Sequence, residues 1–225
     1  MIIKNINKAI FLKRLNRFVW KWLLNWKEIL FHIWDTGRLW ELLKENNKIL
    51  IEKLTNTPKR KYSLRLISAL NPNWNFVLVN SLLHSKLVEE YLKANKIPYQ
   101  KEVKIWNSRI DFLLNKNIFV EIKWCSLIIW DTGLFPDAPT KRWTKHLEEL
   151  IKILKNWGKA EIRFLAVDNI KYFSPNKETD PQFSKSFYNF LNNWGKVNFL
   201  KVNLSFLDNS TLNVNLEKLK NIKIL

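Results

Sequence analysis

Between Ala9 and Asn80 the apolar residues come in short runs, AIFLKRL, RFVWKWLL, EILFHIW, KILIEKL, YSLRLISAL and NFVLVN, separated by polar or turn-forming residues. Runs of that length, rich in β-branched and aromatic side chains, predict strands. Within the series only DTGRLWELLKE, with Asp35 or Thr36 placed to cap it, reads as a short helix. Five or six short strands around one small helix predict an OB-like β-barrel, a common platform for nucleic acids. A barrel with no ligand would show the same pattern.

After Asn80 the period lengthens. Leu82, Leu83, Leu87, Val88, Tyr91 and Leu92 recur at helical spacing through SLLHSKLVEEYLKAN. Strands follow at KEVKIW, SRIDFLL and IFVEIKW, with a fourth at SLIIW, then a loop, DTGLFPDAPT. The stretch KRWTKHLEELIKILKN predicts a longer helix with Leu147, Leu150, Ile151 and Leu154 on one face. Strand AEIRFLAV, a polar stretch holding Pro175 and Pro181, helix QFSKSFYNFLNN, strand VNFLKVNL and an unpatterned tail complete the chain. The reading is an α/β protein of two domains. Residues 1–82 form the OB-like barrel, and residues 83–225 form an αβββαβαβ domain with a mixed central sheet.

Composition narrows the function. The chain has 225 residues, one cysteine and three scattered histidines, which excludes an intramolecular disulfide and a Cys-rich zinc site. MIIKNINKAIFLKRLNRF lacks an uninterrupted apolar core, and Lys21, Lys27 and Glu28 break the next apolar run, so a soluble cytoplasmic protein with no membrane partner is expected. The formal net charge is +18, with 15 Lys+Arg against 5 Asp+Glu in residues 1–85 and 23 against 15 thereafter. A charge of that size suits a polyanion such as DNA, or RNA. The abundance of Lys, Asn and Ile also fits an AT-rich genome, which would produce part of the excess without selection for binding. The oligomeric state stays open, a homodimer included.

Charged residues interrupt the hairpin SRIDFLLNKNIFVEIKW, Ser108 to Trp124. Asp111 lies on its first arm; Glu121 and Lys123, two residues apart, share a face of the second. Phosphodiester cleavage needs a hard cation held by carboxylates, and two arms of a hairpin can bring two of them together. A lysine on the same face can orient the attacking water or offset developing charge. The helix, three strands, helix and strand around these residues resemble the core of PD-(D/E)XK nucleases. On that reading Asp111 and Glu121 hold Mg²⁺ or Mn²⁺, Lys123 assists the water, and Glu90, or Glu89, on the preceding helix adds a third acid. The competing reading is an ordinary solvated strand face.

FPDAPT followed by KRWTKHLEEL, Phe135 to Leu150, resembles the signature of the sugar fermentation stimulation protein A family. SRIDFLL and FVEIK precede it in the family's order, and KAIFLKRLNRF, HIWDTGRLWELL, KRKYSLRL and LVNSLLHSKLVEEYL extend the resemblance over roughly residues 8–205. The resemblance implies an OB-like N-terminal domain, a nuclease-like C-terminal domain and DNA binding with little sequence preference. It also implies a link to sugar, especially maltose, metabolism. The family's acidic and lysine positions fall on Asp111, Glu121 and Lys123, and its other motifs on Pro136, Asp137, Lys145 and His146. Asp137 and Thr140 precede a helix, where they would support a metal or phosphate or act as caps. His146 is either a proton-transfer group or a packed helix histidine. Arg14, Arg17, Arg38, Lys59, Arg60, Lys61, Arg142 and Lys145 are the candidate phosphate contacts, against a solvated basic surface.

One departure from the family pattern stands out. The chain has 4 Gly and 12 Trp, and together they about match the glycine content of an average protein, roughly 7%. Trp26, Trp74, Trp106, Trp157 and Trp194 lie in turn-like contexts, and Trp143 stands where the family has glycine. This predicts a gene in which UGA means glycine, written out here as tryptophan. Genuine tryptophans, as core residues or stacking platforms, are the alternative.

Overall fold

The computed structural model describes residues 1–16, 19–25, 27–32, 42–55, 63–106, 108–156 and 158–225. The helix expected at DTGRLWELLKE falls mostly outside them, as do Arg17, Arg38, Lys59, Arg60, Lys61, Trp26 and Trp157. The chain divides into two compact units: Met1–Leu87 with Val202–Asn215, and Val88–Lys201 with Leu216–Leu225.

In the first unit the short runs become β1 (Ile2–Ile3), β2 (Ile6–Arg14), β3 (Val19–Leu24), β4 (Lys27–His32), β5 (Lys48–Lys53), β6 (Leu64–Leu70) and β7 (Phe76–Leu78). Six of these form an antiparallel sheet in the order β4-β3-β2-β5-β6-β7, and β2 bulges between Phe11 and Lys13. Such a bulge bends a strand and increases its twist. Trp20, Trp22, Ile49, Leu50, Ile51, Ile67 and Leu78 are buried there.

Helix α1 (Ser81–Ala94) leads into β8 (Tyr99–Ile105), β9 (Ser108–Leu114), β10 (Ile118–Cys125), β11 (Leu127–Ile129) and β12 (Thr132–Phe135). Then come α2 (Lys141–Lys155), β13 (Lys159–Ala166), β14 (Tyr172–Pro175), α3 (Pro181–Asn192), β15 (Lys196–Asp208), β16 (Thr211–Leu219) and β17 (Lys223–Ile224). In the second unit the strand order is β15-β13-β10-β9-β8. β8, β9 and β10 are antiparallel neighbours, whereas β10, β13 and β15 run parallel. A parallel pair requires a crossover, and α2 supplies the helix for β10 to β13. A small sheet, β11-β12-β14-β17, lies in the same unit.

The two-domain α/β plan with a mixed sheet is as the sequence predicts. The expected αβββαβαβ order lacks β12 and β14, and the tail taken as unpatterned forms β16 and β17. In TLNVNLEKL asparagine fills the solvent-facing positions, and Leu212 and Val214 alternate into the interior. The core of the second unit joins Leu147, Leu150 and Ile151 of α2, Phe183, Phe187 and Phe190 of α3, and Ile162 and Phe164 of β13. Phe164 lies 4.3 Å from Phe173 and 5.3 Å from Phe135, centroid to centroid. Burying such rings contributes roughly 1.5–3 kcal/mol each.

Candidate active site

β10 alternates, so Glu121, Lys123 and Cys125 share one face and all three are buried. Water is therefore excluded from two side chains of opposite charge, which is costly unless they pair. They do pair: the Lys123 ammonium donates to Glu121 Oε1. His146, on α2, meets the same oxygen through Nδ1. A carboxylate oxygen can only accept, so Nδ1 carries the proton and Nε2 is left to accept in the neutral ring. The second oxygen of Glu121, Oε2, is buried with no hydrogen-bond partner.

Asp111 enters from β9, and its Oδ2 accepts the Ile122 amide at 2.8 Å. Burial, then the negative charge of Glu121, raises its carboxyl to about 6. Burial also pushes Glu121 upward, but the charge of Lys123 and the bond from His146 outweigh it and hold the group low, at about 2. Lys123 is shifted downward by burial, with Glu121 and Asp111 opposing. One turn of α2 before His146, the ring of Trp143 covers Lys123, its centroid 3.7 Å from Nζ. Arg142 is exposed beside it, its guanidinium 5.5 Å from the same ring.

Of the other sequence-derived candidates, Asp137 is half-buried, and its charge adds to burial in raising the Cys125 thiol to about 12. Thr140 occupies the N-cap position of α2, yet its side chain makes no capping bond. Its amide instead donates to Asp180 Oδ2 at 2.9 Å, while Asp180 Oδ1 caps α3 through the Phe183 amide at 2.9 Å. Lys145 is exposed, 4.0 Å from Glu149. Glu89 is bonded to Tyr99, Lys101 and Lys93, and Glu90, the expected third acid, is half-buried on α1. In the first unit Arg14 stacks its guanidinium 4.6 Å from the Trp20 ring and donates to the Asn16 carbonyl.

Sequence reasoning takes position 143 for a family glycine and so gives Trp143 no place over Lys123; it also misses Glu149. Glu149 is buried on α2, accepts from the Ser108 hydroxyl and has an unpartnered Oε2. The signal was present in KRWTKHLEEL, because residues 143, 146 and 149 repeat every three positions on one side of a helix.

Among the described residues, no group of three or more His, Cys, Asp or Glu side chains has a metal-holding arrangement. A hard cation that keeps most of its water needs only one or two carboxylates. Asp111 and Glu121, whose Oε2 has no hydrogen-bond partner, are the two carboxylates that could hold such a cation.

Comparison with known proteins identifies the two parts of the chain. The sugar fermentation stimulation protein RE domain matches residues 77–208, and the SfsA N-terminal OB domain matches residues 12–79. The chain belongs to the sugar fermentation stimulation protein family. A homolog from Thermosipho melanesiensis is 44% identical over 183 residues, covering 81% of both chains. A homolog from Methanosphaera stadtmanae is 38% identical, covering 94% of this chain and 93% of its own. Pyrococcus furiosus SfsA, solved in complex with Ca²⁺, superimposes with a TM-score of 0.82 at 23% identity, over 100% of this chain and 98% of that one. In this family's terms, Asp111, Glu121, Lys123 and His146 all lie inside the RE-domain match. Arg14 lies inside the OB-domain match.

Proposed function

We propose that this member of the sugar fermentation stimulation protein family is a nuclease that depends on Mg²⁺ or Mn²⁺ and cleaves DNA, or RNA, with little sequence preference. The observation that carries the reading is the buried Glu121, whose Oε1 takes both Lys123 and His146 while Oε2 stays free. A structural ion pair has no need of a second carboxylate beside it, and Asp111 is kept there despite burial that opposes its charge. Asp111 and Glu121 would hold the cation, with Glu90 a further candidate. The Ca²⁺ bound by the Pyrococcus furiosus relative supports a cation as ligand.

When bound, a divalent cation offsets the charge that develops on the phosphoryl oxygens and acidifies the attacking water. The protein's own groups do the rest. Lys123, its proton loosened by burial, orients the water through Nζ; His146 fixes the Glu121 carboxylate through Nδ1. Arg142 and Lys145 offer exposed cations along α2 for phosphates, and Asp137 and Thr140 stand near its start. The test is degradation of plasmid and oligonucleotide with Mg²⁺ or Mn²⁺, beside Lys123→Ala. The variant should lose about 10²-fold or more, as losses of charge-stabilising groups do. Equal rates for the two proteins would remove Lys123 from the chemistry.

The second reading, a non-catalytic DNA-binding regulator of sugar metabolism, rests on the net charge of +18 and the OB-like first unit. It predicts retention of DNA with no cleavage under any divalent cation.

A further inference from the structure

Twelve described residues other than glycine have φ in the left-handed region, and no described glycine does. Five are asparagines, which tolerate that conformation, and four are tryptophans: Trp74 (φ 61), Trp106 (φ 49), Trp130 (φ 59) and Trp194 (φ 67). A bulky side chain there is a steric outlier.

Each of the four fills a position where local geometry favours glycine. Trp194 follows the C-cap Asn193 of α3; its amide bonds to Leu191 O at 3.0 Å and that of Gly195 to Phe190 O at 3.0 Å. Those are the two bonds of a Schellman motif, whose left-handed residue is usually glycine. Between β6 and β7, Trp74 is the last residue of the turn Asn71-Pro72-Asn73-Trp74: its amide bonds to Asn71 O at 3.0 Å, and the Asn71 amide bonds to Asn75 O at 2.8 Å. A turn with Pro second, then a left-handed residue, is the G1-bulge arrangement.

Trp106 opens the two-residue loop between the paired Ile105 and Ser108. Trp130 opens the two-residue loop between the paired Ile129 and Thr132. With glycine in place of tryptophan these loops would read Gly-Asn and Gly-Asp, both hairpin signals. The side chains gain nothing in return, since they are 78%, 53%, 94% and 89% exposed in chain order. Trp20 and Trp22 differ on every count, being buried in the interior of β3.

We infer that positions 74, 106, 130 and 194 carry glycine in the protein as its own cells make it, each from a UGA codon read as glycine. Turn-like context already points to positions 74, 106 and 194; backbone conformation supports these three and adds position 130, which the sequence does not single out. One functional consequence concerns the groove of the first unit lined by Lys8, Lys48, Trp74 and Phe76. On the proposed nucleic-acid binding, Trp74 is then no stacking platform, and Phe76 is the aromatic residue left in that lining.

Two measurements test the assignment. Peptide mass spectrometry of the protein from its source cells should find glycine at all four positions, with UGA in the gene; UGG codons or tryptophan masses would overturn it. Separately, a recombinant chain with the four positions changed to glycine is compared with one in which they are alanine, so that lost tryptophan surface cancels. Glycine should melt higher by at least about 3 °C, and Trp20→Gly should melt lower than the chain as written. Equal melting of the glycine and alanine chains would refute the turn argument independently of the codons.

Discussion

Asp111 loses water on folding and gains a negative neighbour, so in the folded protein its carboxyl keeps a proton up to about pH 6. The folded state then binds more protons than the unfolded one across roughly pH 4 to 6, and this group's contribution to stability falls as pH rises through that window. Glu121 behaves in reverse. Its contribution is present above its ordinary value of 4.5 and is lost as pH falls toward about 2. Asp111→Asn should therefore stabilise the metal-free protein by about 1 kcal/mol at pH 8, with the gain shrinking by pH 4.5. Glu121→Gln should cost about 3–5 kcal/mol, because Lys123 would remain buried without its counter-charge. Urea titrations at the two pH values measure both; a destabilised Asp111→Asn at pH 8 would show that the site is not electrostatically strained.

At the scale of elements, Asp180 connects α3 to the segment entering α2 with a single carboxylate. Asp180→Ala removes a cap and leaves the Thr140 amide without its acceptor, so a loss of about 2–3 kcal/mol is expected in thermal or denaturant unfolding. Asp180→Asn, which keeps an acceptor for one of the two amides, should lose less. No periodicity in the sequence announces such a tie, because it joins residues forty positions apart. The hairpin of β9 and β10 was legible because its apolar residues alternate and its charges break the alternation on one face. His146 was legible through its motif, but its partner was not: that Nδ1 meets Glu121 depends on the crossover that brings α2 back against the sheet. β12 and β14 escaped notice because four-residue strands, each ending at a proline or beside one, carry too few alternations to register.

Over the whole molecule the net charge of +18 is divided between both parts of the chain and is not confined to a tail. A polyanion bound through several phosphates releases their counterions, so affinity for duplex DNA should fall with a log–log salt slope of roughly −0.9 per phosphate contacted. Retention on DNA measured from low to high salt should give a slope steeper than about −4, and a flat response would exclude backbone contacts as the source of binding. Among the described residues no helix is long and apolar enough to cross a membrane.

β10 pairs with β9 across a turn of three residues, but with β13 only after α2 has crossed over. Contacts between near neighbours cost little chain entropy and form early; those that close long loops come later. On the ribosome, Asp111, Glu121 and Lys123 emerge as one short segment, before His146 and the helix that carries it have been synthesised. The nascent chain thus carries two neighbouring carboxylates with only Lys123 to offset them until the helix that supplies His146 has been made.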